Sequence, residues 1–352
     1  MRIAVDAYFN NNLGDDLFLD ILVERYKNVT FDFMLCDEMA CKAFIDHPRV
    51  NYKSRKEVLR NIIRYDAYIF IGGSMFQEPK DWKKAWRKFD LTVSIFKLFR
   101  KSAFVLGCNF GPYKTVEYKE KYLRTFKKLT HMTVRDQYSF DLLKDKKGIN
   151  ITLHPDIVLS KKCDERESRK SNIVGISIIN WPKNNNEKGY IDFNVNLIKE
   201  LLNENKTVRI FAFQNTSEIS DNTIINKVLK GLDRDIQNEV DVISYDGNIK
   251  FFLEKYSQCD SMVTARFHSL IMSLINGQAI YSLVYSEKTL NTMKFLGIDL
   301  EYTWLEEVSI DSVKTVKKVL IEGEEAYIKK EIVQLAKDAQ GHFVHLDTLF
   351  RK

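Results

Sequence analysis

Apolar positions along the chain fall into two alternating patterns. Short runs rich in β-branched and aromatic residues cover 3–5, 68–71, 104–106, 132–134 and 151–153. Between them lie longer stretches with helical spacing at 15–26, 81–99, 116–129 and 139–144. Strand followed by helix, repeated, predicts βαβ units around a parallel sheet. A charged stretch, KKCDERESRKSN at 161–172, interrupts the alternation and reads as a domain linker. The alternation then restarts, with strands at 173–179, 208–213 and 240–244 and helices at 192–203 and 249–256. The run at 173–179 is apolar on both faces, as a buried parallel strand requires. Asp246 or Asn248 can cap the helix at 249–256.

The next stretch is denser. An apolar run at 261–265 ends on Arg266 and His268, and a helix-like segment follows and stops at Gly277. A second apolar run at 279–285 ends three residues before Lys288. Helical segments at 312–321 and 324–339 follow. The expected architecture is α/β, with two tandem doubly wound domains at 1–165 and 172–340 and C-terminal helices. A tail at 341–352 could pack back on the first domain. In such sheets ligands sit beyond the carboxyl ends of the strands, where helix N-termini and loops gather. Arg266, His268 and Lys288 all follow strands, so they should share that rim.

Length and composition agree with this. A chain of 352 residues with 45% hydrophobic and 29% charged residues is long for one core and has the make-up of a globular protein. Its five cysteines are scattered without a CxxC pair, which argues against a disulfide framework and a structural zinc and favours a reducing cytoplasm. The start, MRIAVDAYFN, has no secretory core, and no apolar run approaches the roughly 20 residues of a membrane helix.

Net charge changes the picture more. Eight lysines and arginines against two aspartates between residues 80 and 101 account for the whole excess of +6. A nucleic-acid binder would show a broader basic face. In the same window Trp82, Trp86, Phe89, Val93 and Phe96 form one helical stripe, leaving Lys83, Lys84, Arg87 and Lys88 to face outward. That local patch suits an anionic surface or partner, such as the inner face of a cell membrane.

Candidate chemistry gathers at the strand ends. The first ends in NNNLGDD, where Gly14 permits a tight turn and Asp15 or Asp16 can cap the next helix. The second ends in GGS, whose backbone amides can approach an anion or a sugar. GCNFGP follows the third, Arg135–Asp136 with Ser139 nearby follows the fourth, and His154, Pro155 and Asp156 follow the fifth. Each alone is equally a turn, a cap or an ion pair. Arg266, His268 and Lys288, with Arg135, make a set suited to a small polyanion. Arginine forks onto carboxylate or phosphate, and histidine passes protons near neutral pH. HExxH, P-loop, GxSxG and GxGxxG motifs are absent, and none of the six histidines has metal-ligand spacing.

In order and spacing these motifs resemble the polysaccharide pyruvyl transferase family. The resemblance runs through NLGDD at 12–16, GGS at 72–74, GCNFGP at 107–112, VRDQYS at 134–139, HPD at 154–156, ARFHSL at 265–270 and YSEK at 285–288. It implies two Rossmann-like domains of the GT-B kind, phosphoenolpyruvate as donor, a sugar acceptor and a pyruvyl ketal as product, with no cofactor or metal. On that basis His268 is expected as general acid, with Arg266 beside it, and Asp15 as the group accepting a hydroxyl proton. Arg266, Lys288, Arg135 and Ser269 are expected at the donor. Asn12, Gly14, Asp16, Gly72, Gly73, Ser74 and Asn109 are expected at an acceptor that is lipid-linked. Ser74 stands where many relatives have a third glycine. The alternatives are a GT-B glycosyltransferase using a nucleotide sugar and a non-catalytic sugar-binding protein.

Overall fold

The computed structural model describes residues 1–161, 171–216, 218–322 and 329–350. It contains two compact units. The first carries strands and helices in the order β1 (Arg2–Ala7), α1 (Leu13–Arg25), β2 (Thr30–Phe33), β3 (Val50–Tyr52), α2 (Arg55–Arg60), β4 (Ala67–Ile71), α3 (Trp82–Leu98), β5 (Ser102–Cys108), α4 (Val116–Phe126), β6 (His131–Val134), α5 (Gln137–Leu143) and β7 (Ile151–Leu153). Its sheet runs β3-β2-β1-β4-β5-β6-β7 and is parallel throughout. The strand order reverses between β1 and β4, where Asp6 pairs in register with Phe70.

The second unit carries β8 (Ile173–Ile178), α6 (Glu187–Asn203), β9 (Thr207–Ala212), α7 (Asn222–Lys230), α8 (Arg234–Glu239), β10 (Val240–Ser244), α9 (Ile249–Ser257), β11 (Ser261–Thr264), α10 (Phe267–Asn276), β12 (Ala279–Val284), α11 (Glu287–Phe295), β13 (Tyr302–Trp304) and α12 (Ser312–Glu322). Its parallel sheet runs β10-β9-β8-β11-β12-β13 and reverses between β8 and β11. Two further helices, α13 (Lys329–Ala339) and α14 (Val344–Phe350), close the chain. The unit ends at Leu335, within α13, and Ala336–Lys352 belong with the first unit. The residues Asn11–Gly14 group with the second.

Local sequence explains these elements. β8 is buried along nearly its whole length, as a central strand covered on both faces must be. The side chain of Asn248 accepts from the Phe251 amide and starts α9. Gly277 ends α10 in the left-handed region at φ 64, which a glycine adopts without a Cβ clash. On α3, Trp82, Phe89, Val93 and Phe96 are buried and Trp86 is half-buried, so the expected stripe faces the sheet. Each fully buried side chain of that size contributes about 1.5–3 kcal/mol.

Some expectations need correction. The first helix starts at Leu13, so Asp15 and Asp16 lie inside its first turn instead of capping it. The Asn12 side chain takes that place by accepting from the Gly14 amide at 2.9 Å. The stretch read as a linker lies mostly outside the described residues, as does the start of the helix expected at 324.

Candidate functional site

In the second unit the chemistry centres on a buried carboxylate at the reversal of strand order. Asn180 lies just beyond β8 and Arg266 just beyond β11, on the two strands that flank the reversal. Asp221, wholly buried, joins them. It accepts from the amides of Asn180, Phe213 and Gln214 at 3.0, 3.0 and 3.1 Å. It also accepts from Arg266 Nε at 3.1 Å and Nη2 at 2.5 Å. Arg266 has extended backbone at the N-cap of α10, which carries its side chain off the end of the sheet. Five donors on one carboxylate fix the plane of the guanidinium, whose remaining nitrogen, Nη1, faces Gln214 Oε1.

Around that fork stands a polar collar. Gln214 Oε1 lies 3.4 Å from Arg266 Nη1 and accepts from Asn12 Nδ2 at 3.1 Å. The Leu13 amide donates to the Phe213 carbonyl at 3.0 Å, which ties the NLG turn to the end of β9. His268 follows in the first turn of α10, and its ring fills the space a side chain at position 14 would need. A Cβ on Gly14 would lie 1.9 Å from His268 Nδ1. Lys288 reaches the same rim from α11, its Nζ 4.7 Å from the centre of the Phe267 ring. Phe267 meets the His268 ring edge-on at 5.2 Å. A cation over an aromatic face is stabilised by about 0.5–2 kcal/mol and is held in position by it.

Asn12, Gly14, Arg266, His268 and Lys288 are therefore brought together within the second unit. Asn12 and Gly14, expected at the acceptor, stand beside the residues expected at the donor. Ser269 is corrected: it is fully buried, and its hydroxyl bonds Tyr256 at 2.7 Å inside the core. Asp221, Gln214 and Phe267 escape sequence reasoning. So does Trp181, beyond β8, whose ring packs 4.8 Å from that of Tyr285, beyond β12.

The first unit places its motifs differently. Arg135 is 3% exposed and its guanidinium is held by Asp156 and, through Nε, by Asn109 Oδ1 at 2.8 Å. It is a buried strut, not a free cation for a donor. The neighbouring Asp136 caps α5 by accepting from the Ser139 amide at 2.9 Å. Asp136 also accepts from Asn109 Nδ2 at 2.5 Å, so both ends of that amide are committed to the protein. The arginine lies directly beneath the GGS turn, where a Cβ on Gly73 would fall 2.1 Å from Arg135 Nη2. Gly72 has φ +150, and Ser74 is exposed at the tip. Asp16, expected at the acceptor, is fully buried and lies 4.0 Å from the Cys41 thiol, which is pushed up by burial and by this carboxylate. Asp15 is half-buried in the next position of the helix.

The model for the family described as polysaccharide pyruvyl transferase matches residues 12–287. The chain belongs to the polysaccharide pyruvyl transferase family. That span opens on Asn12 of the Arg266 collar and takes in the Gly73–Arg135 stack and all of α10. A search of curated proteins gives no match. Among solved structures, this pyruvyl transferase family member is similar to UDP-GlcNAc 2-epimerase from Methanocaldococcus jannaschii, with 8% identity, TM-score 0.65 and 99% of each chain covered. It is also similar to an Anabaena protein solved with UDP and glucose, with 10% identity, TM-score 0.61, and 100% of this chain and 99% of that one covered. A third is the ADP-heptose lps heptosyltransferase II of E. coli, with 14% identity, TM-score 0.51, and 92% and 99% covered. These likenesses establish two Rossmann-like units of the GT-B kind. Among the described residues no cluster of His, Cys, Asp and Glu is arranged for a metal ion, and no helix is long and apolar enough to cross a membrane.

Proposed function

We propose that this protein transfers the enolpyruvyl group of phosphoenolpyruvate to two hydroxyls of a sugar in a surface or capsular polysaccharide precursor. The observation that carries this is the Arg266 fork, oriented by Asp221 on one rim with His268 and Lys288. Arg266 and Lys288 would neutralise the donor's carboxylate and phosphate. His268 would deliver a proton to the donor's methylene carbon, so that C2 becomes electrophilic. One sugar hydroxyl adds to C2, phosphate leaves, and the second hydroxyl closes the ketal. The two hydroxyl protons end on the new methyl group and on phosphate, so the reaction balances without an added oxidant or reductant. Asp15 is the proposed acceptor of the first hydroxyl proton. The reaction would run without a cofactor.

The acceptor is proposed to be lipid-linked, with the protein held at the inner face of the membrane through α3. Lys83, Lys84, Arg87 and Lys88 are all exposed there. On the same helix and its cap Leu91, Leu98 and Phe99 are 53%, 77% and 46% exposed. Basic and apolar groups together are what an anionic lipid surface attracts.

The test is to incubate the protein with phosphoenolpyruvate and a panel of lipid-linked glycans and to look for a pyruvyl increment by mass spectrometry. Absence of that increment on every glycan would count against the proposal. A second reading is glycosyl transfer from a nucleotide sugar. It is favoured by the Trp181–Tyr285 pair, which offers aromatic faces for a base. Tighter binding of UDP than of phosphoenolpyruvate would select it.

A further inference from the structure

The first unit has its own opening at the reversal of strand order. A cavity of about 270 Å³ lies over the in-register pair Asp6 and Phe70, at the carboxyl ends of β1 and β4. Its floor is fixed. Arg55 is held between Asp6 and Thr92, bonding the Thr92 hydroxyl at 2.6 Å, and Tyr68 donates to Asp6 at 3.2 Å. The charge of Arg55 is thus balanced within the protein.

The rim is not balanced in the same way. Lys84 and Lys88, one turn apart on α3, both line the cavity. Among the described residues neither makes an ion pair, whereas the adjacent Lys83 is paired with Glu117 at 2.8 Å. Asp81 stands on the same rim, and the half-buried Phe70 and Met75 give one apolar wall. Two ammonium groups, one carboxylate and an apolar wall answer three parts of one ligand class. Phosphate needs cations, a ring hydroxyl needs an acceptor, and a sugar's C–H face needs an apolar surface. The volume is near the roughly 300 Å³ lower end of small-ligand sites, enough for one sugar ring.

We propose that this cavity is a sugar-phosphate subsite, with Lys84 and Lys88 on the phosphate, Asp81 on a ring hydroxyl and Phe70 and Met75 against the ring. It rests on the proposed function in one respect: the sugar phosphate is taken to be the anchoring end of the acceptor.

The binding test needs no phosphoenolpyruvate. Calorimetry with glucose 1-phosphate should show saturable binding that is at least tenfold weaker in Lys84→Gln/Lys88→Gln and unchanged in Lys83→Gln/Arg87→Gln. Ala85 also lines the cavity from the exposed side of α3, so Ala85→Trp should plug it and abolish binding with both lysines in place. Free glucose and inorganic phosphate should each bind more weakly than the joined molecule. Lack of binding by wild type, equal loss in both double variants, undiminished binding in Ala85→Trp, or phosphate binding as well as glucose 1-phosphate would each overturn the subsite. In turnover, Lys84→Gln/Lys88→Gln should raise the KM for a lipid-linked acceptor and leave the KM for phosphoenolpyruvate unchanged. If wild type shows no pyruvyl transfer at all, the proposed reaction fails while the calorimetry still decides the subsite. Binding of glucose 1-phosphate in solution, without vesicles, separates a site for the phosphate group from attraction to a lipid surface.

Discussion

Arg266 donates to Asp221 through two nitrogens, Nε at 3.1 Å and Nη2 at 2.5 Å, and Asp221 is wholly buried. This side-on pair orients the guanidinium before any ligand arrives. Arg266→Lys keeps a charge but cannot span both carboxylate oxygens and a ligand together. Its affinity for phosphoenolpyruvate should fall on the order of 10–100-fold, matching the roughly 1.5–3 kcal/mol of a hydrogen bond to a charged group. Calorimetry checks this, and unchanged affinity would remove Arg266 from the donor. Asp221→Ala leaves the arginine and three amides without their acceptor and should cost about 3–5 kcal/mol in denaturant unfolding.

His268 can be probed from two sides. His268→Ala should lower turnover about 10²–10⁴-fold, the range for loss of a general acid, with donor affinity little changed. Gly14→Ala puts a methyl group where the imidazole now lies, 1.9 Å from Nδ1. It should lower turnover by displacing the ring while His268 itself is retained. Wild-type rates in either variant would argue against the assignment.

The glycine turn of the first unit rests on an arginine that has little room to move. Gly73→Ala brings a Cβ to 2.1 Å from Arg135 Nη2, and Arg135 is held by Asp156 and Asn109. The expected loss is about 1–3 kcal/mol of stability, as in other overpacked sites. Ser74→Gly, at the exposed tip, should leave stability within about 0.5 kcal/mol of wild type. Thermal unfolding of the two variants separates these outcomes.

Acid should loosen the C-terminal end of the first unit. His342 is buried, bonds Thr133 and the Pro155 carbonyl at 2.6 Å each, and has its pKa lowered to about 3 by burial. His131 is lowered to about 4 by burial and by the neighbouring His345, and His154 is also lowered, mainly by burial. His342 and His131 stay neutral in the folded protein when the unfolded chain, with histidines near 6.5, takes up protons. Their contribution is complete above pH 6.5 and is lost as pH falls from there toward 4 and 3. The Tm measured at pH 7.5, 5.5 and 4.5 should fall across this series. His342→Gln should flatten the dependence even if the variant is less stable at neutral pH.

Membrane attraction through α3 should depend on salt. Each basic residue near an anionic surface contributes on the order of 1 kcal/mol. Changing Lys83, Lys84, Arg87 and Lys88 to Gln should therefore sharply reduce co-sedimentation with anionic vesicles at low salt. Added salt should reduce wild-type binding in the same direction as it screens the charges. Equal sedimentation of wild type and variant at low salt would sink the idea.

Much of the alternation was legible because central strands are apolar on both faces. The runs expected at 68–71, 104–106 and 132–134 fall within β4, β5 and β6, all interior strands of their sheet. β2 was not visible, because its sequence TFDF carries Asp32, a charged residue in a buried strand. Asp32 is tolerated because Tyr65 and Asn51 donate to it at 2.6 and 2.9 Å, and both lie far along the chain. At the site, Arg266, His268 and Lys288 stood out because each breaks an apolar pattern at a strand end. Asp221 did not: it lies well past the end of β9, in a stretch that reads as an ordinary loop. Arg135 misled for a related reason. Local sequence shows an adjacent carboxylate at 136, but the fold supplies the carboxylate of Asp156 instead.

The last residues of the chain belong with the first unit, where Ala339, Phe343 and Leu346 are fully buried and Asp347 binds Arg25 at 2.6 Å. On the ribosome this sets an order of events. Domains form as the nascent chain emerges from its N-terminal end. Here the second unit, Lys161–Leu335, can close on itself while the first still lacks a piece of its core. The N-terminal half must wait, with the surface meant for Phe343 and Leu346 uncovered, until the residues after 335 have been made. Stop codons or proteolytic cuts near position 336 would thus damage the beginning of the protein more than its end.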